Sequence, residues 1–235
     1  MGYGMGSAYE HQLRQKANTF LDAIQRELRI DAQLDEESWR DYHVQLVIDD
    51  ENKFNLYYSP KRDFFSITPL TLKDKVLRET IVALWEQLAA DEAKPELLKM
   101  AHTAHQAFVD GSFDKSTKRV GYGAVILRQG VPLARMSGRV EKFVESHQIA
   151  GELSAAMHVL QWCNQQGIDS IDIFYDYKGI ELWATGDFKP DSPMAQQYAA
   201  YVRQSAVQIY WHKVQSHTGI YWNEMADKLA KQGTQ

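Results

Sequence analysis

The spacing of apolar runs after residue 106 limits what this chain can fold into. "AFVDGSF", "GYGAVILRQG" and "VPLARMSGRV" follow one another with only a few residues between them. Such short links suit hairpins, so the three runs read as a β-meander. After them the spacing changes. A helical pattern, "HQIAGELSAAMHVLQWCNQQG", is stopped by Gly167, and a strand, "IDIFYD", follows. Next come a short helix at "YKGIELWATG" and a helix at "DSPMAQQYAAYVRQ", where Ser192 caps and Pro193 takes the first turn. A strand, "VQIYWHKV", and a helix, "IYWNEMADKLAKQ", close the chain. The order is βββαβαβα. The right-handed crossover preference favours the first strand and "IDIFYD" lying side by side and parallel, giving a mixed sheet.

The first hundred residues read differently. Leu13, Ala17, Phe20, Leu21, Ile24 and Leu28 recur by threes and fours, which predicts an amphipathic helix. "DEESWRD" breaks it, and "YHVQLVID", "KFNLYYSP" and "FFSITP" read as three strands joined by tight polar turns. A second helix, "TLKDKVLRETIVALWEQLAADEA", takes Thr71 as N-cap and Leu72, Val76, Ile81, Leu84, Trp85 and Leu88 as its apolar face. This αβββα pattern predicts a small α+β domain over residues 1–92. Pro95 marks a linker over 93–103, and a second domain fills 104–235.

Composition narrows the function classes. No apolar run approaches the roughly 20 residues of a membrane span, and the N-terminal stretch lacks a leader pattern. Cys163 is the only cysteine, so no internal disulfide or thiolate cluster can form, and the expected compartment is the cytoplasm. Net charge is −5, against a protein that coats nucleic acid by charge alone. The acid excess lies in residues 1–100, with 13 Lys+Arg against 18 Asp+Glu, whereas residues 101–235 balance at 13 against 13.

Four acids in the second part stand where the chain could fold them together. Asp110 and Asp176 are expected at the same edge of two adjacent parallel strands, where open sheets tend to bind ligands. Glu152 and Asp227 come early in their helices. Taken singly, a strand-end Asp makes an Asx turn and an acid in a first helical turn complements the dipole. Taken jointly, close carboxylates repel unless a cation sits between them, and hard oxygens without a Cys or His cluster point to Mg²⁺ or Mn²⁺.

The series "VDGSF", "AGELSAAM", "FYDYKGIE" and "SHTGIYWNEMADKLA" resembles the type 1 ribonuclease H family over about residues 104–233. The resemblance implies the RNase H-like βββαβαβα fold with a five-stranded mixed sheet, preceded here by the small αβββα domain. It implies metal-binding carboxylates at Asp110, Glu152, Asp176 and Asp227, and a mobile histidine near the leaving group at His217. The activity implied is hydrolysis of the RNA strand of RNA/DNA hybrids by two Mg²⁺ (or Mn²⁺) ions, leaving 5′-phosphate and 3′-hydroxyl ends. Gly111, Ser112, Gln148 and Asn223 are the candidates for substrate contact, the 2′-hydroxyl being the group that marks the RNA strand.

The chain also departs from the family pattern. "HQIAGE" replaces the Asn pair before the helix glutamate, leaving Gln148 as the nearest amide, Tyr177 follows Asp176 where Ser is usual, and residues 180–206 offer only Lys189 and Arg203 as cations. The alternatives are a DNA-directed nuclease or strand-transfer enzyme of the same fold, and a non-catalytic hybrid-binding protein. Residues 1–92 resemble no family, and the roles open to them are protein-partner, dimerisation or substrate-binding module.

Overall fold

The computed structural model describes residues 9–215 and 219–235. The chain divides into two compact units, 1–92 and 93–235.

In the first unit, α1 (Glu10–Ala23) buries Leu13, Ala17, Phe20 and Ala23 on one face. Four antiparallel strands follow in sequence order: β1 (Gln33–Leu34), β2 (His43–Val47), β3 (Lys53–Ser59) and β4 (Phe64–Thr68). The two-residue β1 is additional to the three expected strands; it is too short to show a period-2 pattern. Val44 pairs with Leu56 and Leu46 with Phe54, and all four are buried, so their shared face lies in the core. Phe20 meets the Trp85 ring edge-on at 5.0 Å in that core.

The helix α2 runs from Lys75 to Met100. Two expectations fail here. Asp74, not Thr71, caps it, its Oδ1 accepting from the N–H groups of Val76 and Leu77. Residues 69–71 form a separate turn that seats Leu72 in the core, while Val76 is exposed. Pro95 does not break the helix, which runs on to Met100 inside the expected linker span of 93–103. The cost of Pro95 is one missing backbone donor and crowding against the preceding turn, which a long helix tolerates at a local bend.

The second unit holds a five-stranded sheet in the order β7-β6-β5-β8-β9. β5 (His105–Asp114), β6 (Arg119–Arg128) and β7 (Val131–Val140) form the antiparallel meander. β8 (Ser170–Tyr175) runs parallel to β5, and β9 (Gln208–Lys213) parallel to β8. The helices are α3 (Gln148–Gln166), α4 (Gly179–Thr185), α5 (Pro193–Gln204) and α6 (Tyr221–Gln232). This is the RNase H-like mixed sheet expected from the sequence. Gly167 ends α3 at φ 65°, and Ser192 Oγ accepts from the Ala195 N–H at the start of α5.

Glycines let helices approach both faces of this sheet. A Cβ on Gly111 would lie 2.1 Å from the Gln148 carbonyl oxygen and 2.5 Å from the Glu152 nitrogen, so α3 packs backbone against backbone there. A Cβ on Gly123, the partner of Asp110 across β5 and β6, would lie 2.2 Å from the Ala226 carbonyl oxygen of α6. Partners point to the same side and neighbours to opposite sides, so α3 covers the Gly111 face and α6 the Asp110 face. Val109, Leu153, Ala156, Leu160, Ile171, Ile173 and Tyr198 fill the core.

Candidate active site

The register of β5 and β8 explains how the acids meet. Phe108 pairs with Phe174, so Asp110 stands level with Asp176, one residue beyond the end of β8. Asp110 is not the end of its strand, as the sequence suggests, because β5 continues to Asp114 paired with β6 alone. Where β8 stops, a notch opens beside β5. Glu152, on the fifth residue of α3, lies at this notch because the helix rests directly on Gly111.

Asp110, Glu152 and Asp176 converge there, each offering an oxygen within 4.8 Å of the others. Asp110 and Glu152 are buried and Asp176 is half-buried. Asp110 Oδ1 accepts from the Gly111 N–H at 2.7 Å, whereas Glu152 Oε2 is buried with no hydrogen-bond partner. Among the described residues none of the three makes an ion pair with Lys or Arg. Burial, and then the Asp176 and Asp227 charges, push the Asp110 carboxyl up to about 8. Glu152 is held well above the usual carboxylate range by burial and by Asp176 and Asp110. Such a group of desolvated, mutually repelling acids with an orphaned buried oxygen fits a hard divalent cation.

Asp227 does not join that set. It sits on the seventh residue of α6, a turn later than expected, and its Oδ2 accepts from Lys231 Nζ at 2.6 Å. It nevertheless contributes to the field at Asp110. Ser112 lies half-buried further along β5, and Gln148 opens α3 with an exposed side chain. Gly111 has a packing role that its reading as a substrate contact missed: it lets α3 rest on β5 at Gln148 and Glu152. Asn223 is buried in the first turn of α6 with its Oδ1 unpartnered, and the neighbouring Trp222 is buried with its Nε1 unpartnered. His217 lies outside the described residues.

A family model for RNase H matches residues 102–235, more than half of the chain. The chain belongs to the RNase H family. Its similar solved structures include the RNase H1 of Halobacterium salinarum NRC-1, 20% identical, covering 55% of this chain and 96% of that one, with a TM-score of 0.48. Another is the N-terminal RNase H domain of rv2228c from Mycobacterium tuberculosis, 19% identical over 55% of this chain and 93% of that one, with a TM-score of 0.45. A third is LC11-RNase H1 in complex with RNA/DNA hybrid, 16% identical over 55% of this chain and 96% of that one, with a TM-score of 0.46. No curated protein matches the chain. In this RNase H unit the matched region contains every acid of the notch, and no described helix is long and apolar enough to cross a membrane.

Proposed function

We propose that this RNase H is an endonuclease that cleaves the RNA strand of RNA/DNA hybrids, using divalent cations held by Asp110, Glu152, Asp176 and Asp227. The observation that carries the reading is the orphaned, buried Glu152 Oε2 beside an Asp110 carboxyl pushed up to about 8. Without a cation the site favours protonated acids; a cation stabilises the ionised set, so the same geometry that costs folding energy gives binding energy. Held by these carboxylates, Mg²⁺ or Mn²⁺ would supply an acidified water and charge relief at the scissile phosphate.

The chain's own residues do the rest. Asp110 and Asp176 fix two carboxylates at one level of two hydrogen-bonded parallel strands, and Glu152 adds a third from the opposite face. Asp227, which accepts from Lys231 and whose charge acts on Asp110, would complete the set. Gly111, Ser112, Gln148 and Asn223 are the contacts assigned to the substrate, with the exposed Gln148 side chain reading the 2′-hydroxyl in the minor groove. His217 would protonate or clear the departing 3′ oxygen, leaving 3′-hydroxyl and 5′-phosphate ends. Residues 1–92 are assigned an accessory role, as a partner, dimerisation or substrate-binding module. A groove of about 740 Å³ lined by Tyr9, Tyr42, Tyr57, Tyr58 and Lys61 offers aromatic side chains for such a contact.

End-labelled RNA/DNA hybrid, double-stranded RNA, double-stranded DNA and single-stranded RNA, each with Mg²⁺, Mn²⁺ or chelator, test the proposal. Metal-dependent cutting of the hybrid alone supports it. An uncut hybrid with every ion overturns it.

A further inference from the structure

A second cluster of ligating side chains lies on the same sheet, about 13 Å from the notch counted along β8 at 3.3 Å per residue. His102, Asp172 and His212 each offer one atom within 4.8 Å of the other two. They come from three segments: the run before β5, the interior of β8, and β9. Asp172 is fully buried. The geometry points to a transition-metal site here, a two-histidine, one-aspartate centre for Zn²⁺ or a similar late first-row ion, distinct from the all-oxygen cluster at Asp110.

The first argument is charge. Asp172 is fully buried, its Oδ1 accepting from the His102 N–H and its Oδ2 from the Thr103 N–H. Among the described residues no Lys or Arg pairs with it. Its only cationic options are the two imidazoles or an ion bound between them.

The second argument is geometry. Asp172 Oδ1 lies 2.7 Å from His212 Nε2 and 3.4 Å from His102 Nδ1. Ligand atoms around a tetrahedral Zn²⁺ with bonds of 2.0–2.1 Å are roughly 3.3 Å apart, so the oxygen-to-nitrogen separations need shift by well under about 1 Å. The two imidazole rings stack 25° from parallel with centroids 5.2 Å apart, near the spacing of about 5 Å that two such ligands require, so binding needs the exposed His102 ring to turn toward the ion. The Nδ1–H tautomer of His212 would leave its Nε2 lone pair for the ion.

The third argument is support around the ligands. Asp172 is oriented by the N–H groups of His102 and Thr103 and by Thr103 Oγ1 at 2.7 to 2.9 Å. His102 is stacked on Tyr210 at 5.0 Å and His212 on Phe174 at 4.5 Å. Such restraint of ligands by neighbours is what metal sites need. His102 is the exposed member, which gives an ion its way in and leaves a coordination position to water. Imidazole nitrogen selects zinc-like ions, whereas the carboxylates at Asp110 select Mg²⁺ or Mn²⁺, so the two sites differ in chemistry.

The test is a Co²⁺ titration of the full chain in excess Mg²⁺, read by its visible absorption. Four-coordinate Co²⁺ with nitrogen ligands absorbs intensely, and an octahedral all-oxygen ion does not. One equivalent should develop the band, and Zn²⁺ should displace it and raise the melting temperature. His102→Ala, a change at an exposed side chain, should weaken binding at least about tenfold and abolish the Zn²⁺ shift. Asp110→Asn with Glu152→Gln should leave the band in place. Absence of the band, its survival in His102→Ala, or its loss in the double variant would each overturn the assignment, the first leaving a hydrogen-bonded triad only.

Discussion

Asp176→Asn removes one charge from the notch without changing its shape. Cleavage of the hybrid should fall on the order of 10²-fold or more, while the metal-free protein melts at the same temperature or slightly higher, because a repulsion has been relieved. A variant retaining most of its activity would remove Asp176 from the site. Asp110 makes a second prediction, in pH. Its folded carboxyl titrates near 8 against an ordinary value of 3.8, so the folded state binds the extra proton between those values. The stability this gives is full below about pH 4 and is lost as pH rises through about 8. In chelator, the melting temperature of the wild type should therefore drop between pH 5 and pH 8 by at least about 3 °C more than that of Asp110→Asn. An equal drop in both would show that Asp110 is not the titrating group. The notch acids were legible because each sits in a short motif that survives without neighbours. The His102, Asp172 and His212 cluster was not. Its members are separated by 70 and 40 residues, and "IDIFYD" places Asp172 one alternation from Phe174 with nothing to say what it faces.

At the scale of elements, the site depends on how closely α3 can lie on β5. Gly111→Ala would drive a methyl into two backbone atoms that cannot rotate away, and α3 would have to lift, taking Glu152 with it. We expect a stability loss of about 3 kcal/mol and cleavage slower by about 10²-fold, since a displacement near 1 Å at the reacting groups costs that much. Gly167→Ala is the control. Its added Cβ meets nothing within 4 Å, although φ is +65°, so it should cost about 1 kcal/mol with activity unchanged. Urea melts and initial rates of both variants decide the matter, and equal activity in the two would separate Glu152 from the packing at Gly111. Caps written in single residues, Ser192 with Pro193 and Gly167, were read correctly from sequence. The start of α2 was not, because Thr71 and Asp74 both suit an N-cap and only the burial of Leu72 selects between them. Pro95 misled for a related reason: a proline announces a lost donor, but whether the helix stops there is decided by what the residues beyond it bury, and Leu97 is buried.

At the scale of the whole molecule, two hydrophobic cores share no member. One gathers Leu13, Phe20, Phe54, Leu56 and Trp85, the other Val109, Leu153, Ile171, Ile173 and Tyr198. The carboxylate cluster belongs wholly to the second unit. A ligand stabilises only the cooperative unit that binds it, by an amount that grows with the logarithm of its concentration. Calorimetry of the full chain should therefore resolve two unfolding transitions, of which added Mg²⁺ raises one and leaves the other in place. Free Mg²⁺ at about 100 times its dissociation constant stabilises that unit by about 2.7 kcal/mol, which for a unit of this size is a rise of roughly 5 to 10 °C. Asp176→Asn should cancel the rise without moving the second transition. If Mg²⁺ instead raised both transitions together in the wild type, the two cores would be unfolding as one, and residues 1–92 would be part of the catalytic unit's stability rather than an accessory to it.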